Sequence, residues 1–462
     1  MEIKVKKDIF REYDIRGVVG EDLNRDLAVI IGRAIGTKIR RADRKRVAVG
    51  RDCRLSSPEL FSGLTAGLLS SGLHVIDLGV VPTPLVYFTS YYFHEEAAVV
   101  ITGSHNPPEF NGFKIMIGEG TLHGPEILEI YQIIESGDFI TSPQSGQMTA
   151  FDPVPEYINY VAGQIHLERP VKIVIDAGNG TAGSVAVPLF KKLGAEIIEL
   201  YTEMDGRFPH HHPDPTLPEA LKDLISTVRE SEAEVGLAYD GDADRLGAVD
   251  ETGRIIWGDQ LMIIFARDLL PSHPGAAIIS EVKASHLLYD EISRLGGRPI
   301  MWKTGHSLIK EKIKQEKALL AGEMSGHIFF ADRWFGFDDA IYASARLVEI
   351  ISRQTKKLSA YLADLPTVYN TPEIRIYTSD EVKFKVVDGV KEKLSHLPEV
   401  KKIIDIDGVR AVFDHGWGLV RASNTQPVIV LRFEADSQEE LRRIEQKIKS
   451  CLEEVLTGLN SK

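Results

Sequence analysis

Cysteine is almost missing from this sequence. Cys53 and Cys451 are the only two, near opposite ends of the chain and without metal-ligand spacing. A disulfide framework and a thiolate zinc site are therefore not expected, and both thiols read as buried or inert. Long apolar runs are missing too: none approaches the roughly 20 residues a spanning helix needs, so no membrane partner is expected. Positive charge is in deficit. With 54 Lys and Arg against 67 Asp and Glu, the formal net charge of −13 argues against a nucleic-acid surface. Any anionic ligand must be met by a local cluster of cations. The N-terminal stretch MEIKVKKDIFREYDIRG lacks the apolar core and small-residue cleavage site of a secretory signal, which predicts a cytoplasmic location. No Walker A loop or dinucleotide glycine fingerprint occurs, which turns the reading away from nucleoside triphosphate and nicotinamide chemistry.

What the sequence does contain is repetition. A chain of 462 residues is too long for one core and predicts about three or four domains. Three segments show the same order of strand, helix, strand, helix, strand. The first starts at RVAVGRD, with Ser57 placed to cap a helix, Pro58 in its first turn and Gly72 at its stop, and ends at AAVVIT. The second runs from VKIVIDAGNG to VGLAY, and the third from AAIISEVKAS to ALLAGE. Apolar strands alternating with amphipathic helices predict parallel strands joined by βαβ crossovers. From about residue 369 the pattern changes to a helix, four strands and a long charged helix, an α+β ending. The expected architecture is α/β: three similar βαβαβ mixed-sheet domains at 1–150, 151–255 and 256–368, plus a C-terminal α+β domain at 369–462, around one central cleft.

The loops after the third strand of each unit carry the chemistry, as expected of ligand sites beyond the carboxyl ends of strands. DGDADR places Asp240, Asp242 and Asp244 at alternate positions with Arg245 beside them, three hard oxygen ligands suited to magnesium. An acidic turn without an ion is the plain alternative. An EF-hand reading gains Glu251 at the twelfth position but fails on Arg245 where Gly is needed, and on strand-like flanks. TGSHNP presents Ser104 and His105 at a strand end, with Lys114 in the next strand. A hydroxyl helped by a metal, an imidazole and cations can carry a phosphoryl group, since that transfer depends on positioning and charge neutralisation. EMSGH offers Glu323, Ser325 and His327, able to hold sugar hydroxyls. RASNTQP offers Arg421, Ser423, Asn424 and Thr425, donors suited to a phosphate. The three consecutive histidines of FPHHHPDP cannot readily converge on a metal, and a loop-packing role is expected for them.

Taken in order along the whole chain, FREYDIRG, TGSHNP, DGDADR, SEVKAS, KTGHS, GEMSGH and RASNTQP resemble the α-D-phosphohexomutase superfamily, specifically its phosphomannomutase/phosphoglucomutase group. The resemblance implies phosphorylation of Ser104, and one magnesium ion held by Asp240, Asp242, Asp244 and the Ser104 phosphate. It implies that Tyr13, Arg16, His105, Lys114, Arg245, Lys283 and His306 line the reacting end, with Thr304 and Gly305 of KTGHS against the substrate. Glu323 and Ser325 would hold sugar hydroxyls with His327 close by, and Arg421, Ser423, Asn424 and Thr425 the non-reacting phosphate. The implied ligands are small hexose phosphates, with a hexose 1,6-bisphosphate as intermediate and activator; monomer and homo-oligomer both stay open. Met324 and Asn424 stand where phosphoglucosamine mutases typically carry Gln and Gly, while Gln426 and His210 depart from the usual residues of their loops. Two alternatives remain: a phosphoglucosamine mutase, and a catalytically silent sugar-phosphate binding protein.

Overall fold

The computed structural model describes residues 5–94, 96–424 and 426–460. Three of its sheets repeat one plan. In the first, Arg46–Arg51 lies between His74–Val80 and Ala97–Ile101, all parallel. In the second, Lys172–Asp176 lies in the same way between Glu196–Leu200 and Val235–Tyr239. In the third, Ala277–Glu281 lies between Arg298–Trp302 and Leu320–Gly322. The crossover strands are parallel, as the alternation predicts, but each sheet then adds an antiparallel strand.

That added strand positions the chemistry. Ala97–Ile101 turns back into Phe110–Ile117, Val235–Tyr239 into Leu246–Asp250, and Leu320–Gly322 into Ile328–Phe330. Each turn is one of the loaded loops, so its residues sit at the tip of a hairpin whose strands are mostly buried and paired. A hairpin tip fixes both ends of a short loop, which a free connection would not.

Ser57 departs from its expected place. The helix spans Ser57–Ser70 with Pro58 in its first turn, but no side chain caps it. The Ser57 hydroxyl donates instead to Asp52. Gly72, at φ 77°, closes the turn that ends the helix.

The C-terminal sheet is antiparallel across Lys402–Ile404, Val409–Phe413, Gly416–Ala422 and Val428–Ala435, with the helices Asp380–Ser395 and Gln438–Asn460 packed on it. Two edge strands, Tyr369–Asn370 and Ile374–Tyr377, were not foreseen. One large apolar core runs without a break from Ala48 through Tyr239 to Leu362, joining all three α/β units. The last domain has its own core and meets the third through the apolar set Val282, Trp417 and Leu419 and through buried polar contacts of Arg410, Arg432 and Glu434. The first three units are thus welded and the fourth is docked. Among the described residues no helix is long and apolar enough to cross a membrane.

Candidate active site

Ser104 sits at the tip of the first hairpin with φ 48°, a left-handed conformation that costs a non-glycine residue energy and persists only where its surroundings impose it. Two arginines impose it here. Arg16 donates to the Gly103 carbonyl at 2.6 Å and the Asn106 side chain at 2.7 Å. Arg54, 1% exposed, donates to the carbonyls of Ser104, Asn106 and Phe110, and its Nε meets Asp52 at 3.1 Å. Arg54 escaped the sequence reading. It lies after the first strand of its unit, in RDCR, a stretch with no turn or ligand pattern of its own.

The acidic loop of the second sheet reaches this serine directly. Ser104 Oγ donates to Asp240 Oδ2 at 2.8 Å, and His105 Nδ1 lies 3.3 Å from the same hydroxyl. Gly241 makes the approach possible, because a Cβ there would stand 2.5 Å from the Ser104 carbonyl oxygen. Asp240, Asp242 and Asp244 are fully buried and converge within 4.8 Å. Asp242 accepts from Thr83 Oγ1 at 2.6 Å and from Lys114 Nζ at 2.8 Å; Lys114 also bonds Asp244. Glu251 faces away to Ser359, which closes the EF-hand reading.

Charge here is unevenly held. Burial pushes the Asp242 carboxyl up, but Lys114 and Thr83 outweigh it and hold the group well below the usual range. Asp240 is driven the other way, first by burial and then by Asp244 and Asp242. Burial and the Arg245 and Arg16 guanidiniums hold His105 well below its ordinary value. Asp242 Oδ1 and Asp244 Oδ1 are buried without a hydrogen-bond partner. Orphaned carboxylate oxygens on a convergent triplet fit a hard divalent cation.

The third sheet closes the other side. His327 Nε2 accepts from Arg245 Nε at 3.0 Å, and its ring stacks 5.4 Å from that of His306. Glu323 is 3% exposed and receives the Gly305 amide at 2.7 Å; burial and neighbouring Glu281 push its carboxyl up. Gly305, at φ 134°, lies so close to Tyr13 that a Cβ would be 2.4 Å from the phenol ring. Ser325 is half-buried on the same loop.

The first, third and last domains meet at Tyr13. Its hydroxyl donates to the Thr304 carbonyl at 2.7 Å and accepts from Asn424 Nδ2 at 2.9 Å. Arg421 is held by Asp407 at 3.0 Å, and Asp407 also accepts the Thr304 amide. Lys383 donates to the Ser423 carbonyl at 2.6 Å, fastening the loop from behind. Lys283 is paired with Glu373 at 2.6 Å and lies 3.4 Å from Glu281. Thr425 lies outside the described residues. Asp52, Thr83, Glu281, Asp407 and Lys383 were not singled out in the sequence; Thr83, Asp407 and Lys383 act through partners distant along the chain.

Four domain profiles match the chain in order: Phosphoglucomutase/phosphomannomutase, alpha/beta/alpha domain I over residues 7–141, domain II over 155–253, domain III over 257–369, and the C-terminal domain over 381–450. The chain belongs to the phosphoglucomutase/phosphomannomutase family. It is 48% identical over 451 residues to a phosphomannomutase/phosphoglucomutase of Pseudomonas aeruginosa, covering 98% of this chain and 96% of that one. It is 48% identical over 450 residues to a phosphoglucomutase of Neisseria meningitidis, covering 97% of each. A crystal structure of a phosphoglucomutase/phosphomannomutase family protein from Burkholderia thailandensis superposes with a TM-score of 0.93 at 43% identity, covering 98% of this chain and 99% of that one. In the present chain two of the three histidines of FPHHHPDP turn to separate partners: His210 to Asn179 at 2.7 Å, and His211 to Asp176 at 3.1 Å. They pack the loop.

Proposed function

We propose that this chain is a phosphohexomutase that moves a phosphoryl group between the 6- and 1-positions of mannose or glucose phosphate through a phosphoserine at Ser104. The observation that carries the reading is the Ser104 hydroxyl 2.8 Å from Asp240, inside a ring formed by the acidic triplet, Lys114, Arg16 and His105. We read the domains as 1–150, 151–255, 256–368 and 369–462, each giving one loop to the cleft. We place the activity in the cytoplasm, in keeping with two free cysteines, one of which, Cys53, burial pushes up to about 12.

Phospho-Ser104 donates to the free hydroxyl of a bound hexose monophosphate. The bond from phosphorus to Oγ breaks, a bond to the sugar oxygen forms, and the proton lost by the sugar ends on Oγ. The product is a hexose 1,6-bisphosphate, which reverses in the cleft and returns its other phosphate to Ser104. Arg16, Lys114 and Arg245 offset the charge of the transferred group, and His105, with His306 and His327, lines its surroundings. One magnesium ion held by Asp240, Asp242, Asp244 and the Ser104 phosphate would supply further charge neutralisation. Glu323 and Ser325 hold ring hydroxyls, flanked by Thr304, Gly305 and Lys283. Arg421, Ser423, Asn424 and Thr425 grip whichever phosphate is not reacting.

Coupled assays with mannose 1-phosphate, glucose 1-phosphate and glucosamine 1-phosphate test this reading. Turnover of mannose or glucose phosphate, well above that of the amino sugar, is expected. A preference for glucosamine phosphate would move the chain to that branch of the superfamily, and binding without turnover of any would make it a silent binding protein.

A further inference from the structure

Asp338 is a carboxylate on which two cleft imidazoles converge. Its backbone is fixed on both sides: it forms an antiparallel bridge with Phe329, and the next residue, Asp339, caps the helix Ala340–Ser352 through the Tyr342 amide. The side chain is fully buried, where an unpaired charge would be costly. Oδ1 accepts from Lys310 Nζ at 3.0 Å. Oδ2 lies 3.0 Å from His327 Nδ1 and 3.6 Å from His306 Nδ1. Both rings thus turn the same nitrogen toward one oxygen. Lys310 and His306 come from one helix, His306–Glu316, which ties the carboxylate and the ring to a common support.

The far side of His327 decides where its proton sits. Arg245 Nε is only ever a donor, so the Nε2 atom that receives it at 3.0 Å must carry a lone pair. The proton is then on Nδ1, facing Asp338 Oδ2, with Asp244 Oδ1 a more distant 3.6 Å away. A carboxylate behind an imidazole fixes tautomer and ring angle in this way in many sites. Lys310 sets a positive charge on Oδ1, while Oδ2 and the Nδ1 atoms of both rings have no other hydrogen-bond partner among the described residues.

We propose that Asp338 is a positioning residue for phosphoryl transfer: it holds His327 as the Nδ1–H tautomer and, through that ring, fixes the Arg245 guanidinium beside the acidic loop. The proposal rests on the mutase reading, but its first test does not. Nitrogen NMR of isotope-labelled histidine on the magnesium-loaded protein, with His327→Gln to assign the signal, reads the tautomer without turnover. The proton of His327 should be on Nδ1 in the natural protein.

Asp338→Asn carries the second test. Lys310 demands an acceptor, so the amide oxygen stays on Lys310 and the amide nitrogen replaces Oδ2. The rings then face a donor, the proton of His327 moves to Nε2, and it opposes Arg245 Nε–H. The kcat should fall roughly 100-fold or more while KM changes less than about threefold, the pattern of a wrong tautomer and not of lost binding. Replacing Lys310 as well, in Asp338→Asn with Lys310→Met, frees the amide to turn its oxygen to the rings and should restore kcat by about tenfold. A merely structural role predicts further damage instead. The proposal is overturned if His327 of the natural protein bears its proton on Nε2, or if Asp338→Asn keeps kcat within about threefold. Should that variant fail to fold, the tautomer in the natural protein decides alone.

Discussion

Ser104 Oγ donates a hydrogen bond to Asp240 Oδ2 at 2.8 Å, joining hairpin tips of two different sheets that stand 136 positions apart in the chain. The proposed carrier hydroxyl and a proposed metal ligand are therefore one unit. Phosphorylation removes the donor and sets a dianion beside a buried carboxylate, which only added positive charge can offset. Magnesium is accordingly expected to bind the phosphorylated protein at least about tenfold more tightly than the dephosphorylated form. Titration calorimetry on both forms checks this, with equal affinities as the contrary result.

Removing the metal, or one of its ligands, should stop turnover. Asp242 is held ionised by Lys114 and Thr83, so Asp242→Asn loses a fixed charge and leaves Lys114 with Asp244 alone. A loss of about 3 kcal/mol in transition-state stabilisation, or roughly 100-fold in kcat, is expected. Steady-state rates with and without a chelator, restored by added magnesium, are the measurement. Full activity in excess chelator would contradict it.

Arg54 holds the serine loop from inside the protein. The conservative change Arg54→Lys cannot reach the carbonyls of Ser104, Asn106 and Phe110 while still pairing with Asp52. It should destabilise the first domain by about 3 kcal/mol and lower kcat with little change in KM. Thermal unfolding and kinetics on the same sample test both halves.

The sugar loop and the phosphate loop should fail differently. Arg421→Ala removes a charge-assisted phosphate contact worth on the order of 2 kcal/mol, shared by every substrate, so mannose and glucose phosphates should weaken alike. Glu323→Gln should instead alter the ratio between them, since the two sugars differ at one ring hydroxyl. Kinetics with both substrates on both variants separate the roles, and a change of sugar preference in Arg421→Ala would reverse them.

Docking of the last domain should depend on pH. Glu434 accepts from His286 Nδ1 at 2.8 Å across the interface between third and fourth domains, near Arg410 and Asp290. The bond to Glu434, opposed by burial, raises the His286 pKa above its ordinary 6.5. Its stabilisation is therefore complete below 6.5 and is lost as pH rises through the raised value. The ring is 39% exposed, so solvent screens part of the gain. The difference in unfolding temperature between the natural protein and His286→Gln should be largest in mild acid and shrink toward basic pH; a difference that grew with pH would refute the sign.

Much of this was legible in the sequence, because the residues that meet ligands are contiguous. TGSHNP, DGDADR and EMSGH each occupy one hairpin tip, and a tip is short enough to read as a string. The residues that hold those tips are scattered. Arg54 touches Ser104 from 50 positions away, and Asp407 reaches Thr304 from 103. Nothing in RDCR or DIDG announces a partner. Ser57 shows the same limit from the other side: its position suits a cap, yet a buried carboxylate at Asp52 competes for the hydroxyl and wins. The edge strands Tyr369–Asn370 and Ile374–Tyr377 were hidden because they are short, largely exposed and separated by Pro372.

The central claim is that Ser104 carries the phosphoryl group, and one measurement addresses it directly. The protein is incubated with glucose 1,6-bisphosphate and magnesium, digested, and its phosphorylated peptide mapped by mass spectrometry, alongside Ser104→Ala treated identically. The account predicts a single phosphate on Ser104 and an inactive, unlabelled Ser104→Ala. Phosphate on Asp240 or Asp242, with Ser104→Ala still fully active, would contradict it.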